Sequence, residues 1–80
     1  MTIKLSNKII VEDKRVSSYI RAIQLLLRIY DRVYLIGLNR YIPKTILVAK
    51  KSGRIVYYRV ERDGVKRDKS VIIVVGKDAR

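Results

Sequence analysis

Arg40 and Lys44 stand on either side of Pro43, just after an apolar run and just before residues with helical spacing. Proline fits the first turn of a helix, where its missing N–H would have no partner. The two cations therefore flank a helix N-terminus, an end that already favours anions through its free N–H groups and its dipole. The chemistry this offers is the holding of a phosphate. Asn39 can add a neutral hydrogen bond to phosphate or sugar. For Lys44 the plainer alternative is a solvated first turn. A lysine there opposes the helix dipole, so an external anion makes better sense of it. Tyr41 suits either packing on a sheet or stacking on a base, and packing is the expectation.

Two more groups of cations stand out. Lys14 and Arg15 follow Asp13 in a charged turn, which alone reads most simply as solvated. Arg59, Arg62, Lys66, Arg67 and Lys69 crowd the segment around Asp63-Gly64. Charged residues blunt exposed strand edges, but these cations outnumber Glu61, Asp63 and Asp68 beyond that need. Other chemistry is poorly served. The chain has no histidine and no cysteine, which removes the commonest general base, the commonest metal ligand and any disulfide. Glu12-Asp13 is the one adjacent acidic pair and reads as a turn. Four dispersed glycines match no phosphate-binding glycine motif. No enzyme activity, cofactor, metal or small-molecule substrate is expected.

The elements that must position these residues follow from periodicity. Lys8 to Glu12 reads as a strand, and Asp13 is placed to cap the next helix. From Val16 the apolar positions 16, 20, 23, 27 and 30, with 19, 22 and 26 beside them, form a wide helical stripe ending near Tyr30. Arg21, Gln24 and Arg28 fall opposite. Val33 to Ile36 is a buried strand, broken by Gly37 and Asn39. A second helix spans about Pro43 to Lys51, with Gly53 as its C′ residue and Lys50 and Lys51 complementing its dipole. Arg54 to Arg62 and Ser70 to Val75 are strands. Asp63-Gly64 predicts a two-residue hairpin turn. That turn would pair Arg62 with Val65, Glu61 with Lys66, Arg59 with Asp68, Val56 with Val71 and Ile55 with Ile72.

The order is β-α-β-α-β-β. It predicts an α+β two-layer sandwich in which a mixed four-stranded sheet carries both helices on one face. The first two strands should be parallel, joined by a helical crossover. With 80 residues and no linker or repeat, residues 1–80 are expected to form a single domain.

Nineteen Lys and Arg against seven Asp and Glu give a formal charge of +12, with a pI near 10.4. Self-repulsion of that size points to a polyanionic partner. Nucleic acid comes first and an anionic membrane surface second. The apolar runs are too short to span a bilayer, and Met1 to Ser6 lacks the apolar core of a secretion signal. A cytoplasmic location is expected, with no membrane partner.

The segment Arg40-Tyr41-Ile42-Pro43-Lys44-Thr45-Ile46, after a hydrophobic strand, resembles the signature of the Alba superfamily of small archaeal chromatin and RNA-binding proteins. That signature is a basic-apolar-Ile-Ser-Lys-Ala-Val segment between the second strand and second helix. Pro43 stands where serine is usual. The Val16-Ser-Ser-Tyr-Ile20 start of the first helix and the basic terminal hairpin extend the resemblance over almost the whole chain. The resemblance implies the same element order. It also implies that Arg40 and Lys44 are the family's loop arginine and lysine. In the family the first turn carries a Lys-Lys pair that contacts nucleic acid, and one of the two can be acetylated. Lys14 fits the second of that pair, Asp13 takes the place of the first, and Arg15 partly restores the charge. The terminal arm of the family reaches into the minor groove of DNA.

The function implied is largely sequence-independent binding of double-stranded DNA by a nucleoid-associated architectural protein. The alternatives are RNA binding, as in the ribonuclease P proteins of the superfamily, and a non-catalytic interaction subunit. A homodimer is expected on independent grounds. Ile46, Leu47 and Ala49 on the second helix, with Val56, Tyr58, Val71 and Ile73 on the hairpin, exceed what one small domain easily buries.

Overall fold

In the computed structural model, which describes residues 6–62, 64–65 and 68–77, the chain forms six regular elements and one short turn. They are β1 (Lys8–Ile10), α1 (Val16–Leu26), β2 (Arg32–Leu38), a 3-10 turn (Asn39–Tyr41), α2 (Ile42–Ser52), β3 (Arg54–Arg62) and β4 (Lys69–Gly76). The strands lie in the order β1-β2-β4-β3. β1 runs parallel to β2, and the other neighbours are antiparallel. Strand alternation sorts the side chains between two faces. Val33 and Leu35 of β2 and Val71, Ile73 and Val75 of β4 are buried on one face. Tyr19, Ile23 and Leu27 from the first helical segment and Val48 and Ala49 from α2 close over them in a single core. This is the expected α+β sandwich, with a mixed sheet and both helices on one side.

The hairpin register differs from the sequence expectation. Arg62 pairs with Lys69 rather than Val65, Glu61 with Ser70, Arg59 with Ile72 and Tyr58 with Ile73. The predicted pair Val56–Val71 gives way to Val60–Val71, with a bulge between Ile55 and Tyr57. A local turn preference has lost to apolar matching, since Val60 and Tyr58 now sit beside core residues of β4. The slip beyond the bulge is an even number of residues, so every side chain keeps its face. The turn residue Asp63 and Lys66, the predicted partner of Glu61, lie outside the described residues. The partly exposed Glu61 carboxylate instead pairs with Arg59 on its own strand.

Other boundaries move by a few residues. β1 stops at Ile10, although the Val11 N–H still donates to the Ile36 carbonyl at 2.9 Å. α1 ends at Leu26, followed by tight turns that carry the chain to Tyr30. Asp13 does not cap it, because the N-cap is Arg15 and no side chain bonds the free N–H groups there. Gly53 follows α2 with an extended φ of 171°. Its need for glycine is one of space, since a Cβ there would lie 2.7 Å from the Gly76 carbonyl oxygen.

The most consequential correction is at Gly37, which continues β2 instead of breaking it. Thr45 on α2 is fully buried directly above it. A Cβ on residue 37 would lie 2.8 Å from Thr45 Cβ and 3.2 Å from the Tyr41 carbonyl oxygen. The absent side chain is what lets the start of α2 rest on β2. Thr45 Oγ1 fills the contact and donates to that same Tyr41 carbonyl at 2.7 Å. The strand then turns at Asn39, whose φ of 48° is the left-handed conformation asparagine tolerates. Gly37 therefore sets the height of the helix start that carries Lys44. Gly37→Ala should lower unfolding free energy by about 1–3 kcal/mol, the usual range for overpacking. Chemical denaturation measures this, and a loss below about 0.5 kcal/mol would show that α2 has room to move.

Candidate nucleic-acid interface

The turn between β1 and α1 is gripped from both sides of its backbone. Tyr19, only 6% exposed, reaches back from α1. Its hydroxyl accepts the N–H of Glu12 at 2.7 Å and that of Lys14 at 3.3 Å. From the other side Lys44 Nζ donates to the carbonyl of Glu12 at 2.6 Å and to the carbonyl of Lys14. The same ammonium lies 5.4 Å from the centroid of the Tyr19 ring, a cation–π distance. Lys44 is thus neither a solvated surface charge nor a bare cation at the helix start. Two of its three donors are spent on the neighbouring turn, and the carbonyls answer the unfavourable dipole.

A second link joins the same two segments. The Tyr41 hydroxyl donates to Asp13 Oδ1 at 2.7 Å and accepts from Arg40 Nη2 at 2.8 Å. Arg40 also approaches Asp13 at 4.0 Å, with both side chains mostly in solvent. Its guanidinium carbon lies 4.9 Å from the Tyr41 ring centroid. The hydrogen bond to Tyr41, and after it the charge of Asp13, raise the Arg40 pKa further above its already high value. Arg40 is charged at every accessible pH. Tyr41 acts through its hydroxyl as a bridge between turns.

Asn39 supplies a third link. Its Nδ2 donates to Asp68 Oδ1 at 3.3 Å, and its Oδ1 accepts the Lys69 N–H at 3.0 Å. The 12–15 turn, the 39–44 segment and the start of β4 therefore form one hydrogen-bonded edge of the molecule. Along it Lys14, Arg15, Arg40, Arg62 and Lys69 are exposed. Arg62 and Lys69 are direct cross-strand partners. Like charges so placed repel, and among the described residues no acid forms an ion pair with either. An external anion is the natural relief. Arg59 is set apart, facing away from the helices and paired with Glu61. Lys66 and Arg67 lie outside the described residues.

Sequence reasoning missed Tyr19, which it placed beside the apolar stripe of α1. A signal was present, because a buried tyrosine usually needs a partner for its hydroxyl. It also read Asn39 and Lys44 as direct anion contacts, whereas both are used to hold the edge together.

The fold is Alba-like. Among solved structures, ALBA1 from Trypanosoma brucei matches with a TM-score of 0.84 and 17% identity, over 95% of this chain and 73% of that one. Alba from Thermoplasma volcanium matches with a TM-score of 0.75 and 15% identity, over 88% of this chain and 99% of that one. The likeness is one of fold. No protein-family model and no curated protein matches the chain.

The clamp and the exposed arginine should separate in a thermal melt. Lys44→Ala should cost about 1 kcal/mol, the lower end for charge-assisted hydrogen bonds near the surface. Arg40→Ala should leave the melting temperature where it is, since an exposed ion pair contributes little. Equal melting of the two variants would remove the structural role given to Lys44.

Proposed function

We propose that this chain binds double-stranded nucleic acid, duplex DNA first, largely without regard to sequence, as a non-catalytic architectural protein. The observation that carries the reading is the edge just described, where exposed cations sit on three segments tied together by hydrogen bonds. Lys14, Arg15 and Arg40 would take phosphates at its centre, and Arg62 and Lys69 at the outer end of the hairpin strands. Lys66 and Arg67 add charge to the same arm by sequence, as does Arg59 from the neighbouring face. Lys44 keeps a third donor for phosphate, and Asn39 holds the segments in register. Affinity would come from neutralising phosphates and releasing counterions. Such contacts position a protein more than they read bases. The Alba-like fold supports this reading. The same electrostatics serve duplex RNA, which remains the second target.

The protein would act as a homodimer. Ala49, Val71 and Ile73 are buried in the core of the single chain, so they drop out of the expected interface. What stays uncovered is a strip on the helix side, where Leu47 of α2 is 43% exposed and Tyr58 and Val60 of β3 are 67% and 57% exposed. A two-fold contact through this strip would cover it. It would leave the sheet face opposite the helices free.

Fluorescence anisotropy on unrelated duplexes should give affinities within about tenfold of one another, falling linearly with salt on logarithmic axes. Arg15→Ala with Arg40→Ala should make that slope shallower by about one or two. A thousandfold preference for one sequence contradicts the reading, and tighter binding of duplex RNA in competition moves it to RNA. Light scattering at micromolar concentration and high salt should report two chains of 9.4 kDa each. Leu47→Glu with Tyr58→Glu should reduce that to one. A single-chain mass for the unaltered protein refutes the dimer.

A further inference from the structure

The sheet has a second face, and no element among the described residues covers it. Register and alternation place its residues in rows across the strands. One row runs Lys8, Tyr34, Val74, Tyr57. The row beside it toward the end of β4 runs Arg32, Gly76, Arg54. The helices lie on the other side, over Val33, Leu35, Val71, Ile73 and Val75. This part of the face therefore holds two tyrosine rings flanking a valine, with cations at the strand edge and along the next row, while the row on the other side, Ile10, Ile36 and Ile72, is aliphatic.

The dimensions suit a particular occupant. Tyr34 and Tyr57 are two strands apart, which is roughly 10 Å across a sheet. Tyr57 is 54% exposed, and Tyr34 stands half-buried on β2. Gly76 carries no side chain between Arg32 and Arg54, and Val56 Cγ2 closes the space there, 2.9 Å from where a Cβ would stand. Neither arginine, nor Lys8, has an acid in ion-pair range among the described residues. The acid that does share this face, Glu61, is taken by Arg59. A bare aromatic surface with unpaired cations around it matches a ligand having flat apolar faces and negative charges at intervals.

We propose that the helix-free face of the sheet is a second site, which takes single-stranded nucleic acid by stacking unpaired bases on Tyr34 and Tyr57. Arg32, Arg54 and Lys8 hold the phosphates between and beside those bases. Stacking of this kind tolerates any base, because every base has a π-face. A duplex cannot use the site, since its base faces are buried in its own stack. A second copy of the chain fits poorly, because sheet-on-sheet pairing would bring the two cationic rims together. The site stands apart from the duplex-binding edge and does not rest on that reading.

The test uses the full chain, labelled with nitrogen-15, and an oligothymidylate of about six nucleotides, within the usual footprint of such sites. The largest amide shifts should fall on Lys8, Tyr34, Val74 and Tyr57, with Lys14, Arg15 and Arg40 little changed. Tyr34→Leu with Tyr57→Leu keeps apolar bulk and removes stacking. It should weaken oligonucleotide binding by about tenfold or more while duplex affinity stays within about twofold. Shifts confined to the 12–15 and 39–44 segments, or no binding, overturn the proposal. So does undiminished oligonucleotide binding by the folded double variant. Shifts on this face that follow protein concentration without oligonucleotide would assign it to a second copy instead. If the double variant does not fold, the shift map of the unaltered chain decides alone. Loss of duplex binding with these shifts intact would count against the edge and leave this site standing.

Discussion

Two side chains hold the backbone of one short turn, and the basic edge depends on them. Tyr19 takes the N–H groups of Glu12 and Lys14, and Lys44 takes their carbonyls. Each helix contributes one jaw, so the turn is fixed relative to both. The cost is modest. A lysine at a helix N-terminus loses about 0.3–1 kcal/mol to the dipole. Charge-assisted hydrogen bonds contribute about 1.5–3 kcal/mol each when well formed, and less near the surface. Two such bonds plus the Tyr19 ring outweigh the dipole, so the lysine stays where simple helix electrostatics disfavours it. The outcome is a turn whose backbone is satisfied internally and whose Lys14 and Arg15 side chains are left outward.

Three surfaces stand out on an 80-residue chain with a charge of +12. The connected edge gathers cations, of which Arg40 lies near Asp13 while Arg62 and Lys69 form no ion pair with an acid among the described residues. The strip of Leu47, Tyr58 and Val60 is apolar and lies beside α2. The helix-free face combines tyrosines with arginines. Like-charge repulsion along the edge opposes folding but favours any polyanion that arrives. Association through the apolar strip would depend little on salt. On the proposed reading these opposite salt responses would let binding and assembly be separated in solution.

How much of this could be read from the residues depends on the range of the interaction that decides each feature. Element order, the parallel β1–β2 start and the single helical layer were legible, because apolar periodicity in β2, β4 and α1 is local and strong. The hairpin register was not. Asp63-Gly64 announced a tight turn, yet the match of Val60 and Tyr58 against core residues of β4 settled the pairing. Gly37 read as a breaker because nothing near it in sequence reveals Thr45, whose packing needs the vacancy. Lys44 was found as a residue that matters, but its grip on the neighbouring turn was not. Its partners are carbonyls about thirty positions away, and side-chain-to-backbone contacts across a fold leave no pattern in a single sequence. Arg40, Lys14 and Arg15 stand exposed, as charge and turn position, both local properties, suggest.

The central claim is that binding depends on a turn held in place and not on charge alone. The most direct measurement is the affinity of Tyr19→Phe for a short duplex at fixed salt, on protein shown to be folded. This change removes the hydroxyl, keeps the ring beneath Lys44 and leaves the formal charge at +12. A weakening of about five- to tenfold, equivalent to about 1 kcal/mol or slightly more, is the predicted result. Affinity equal to that of the unaltered chain would contradict the claim and make the basic residues independent charges on a solvated surface.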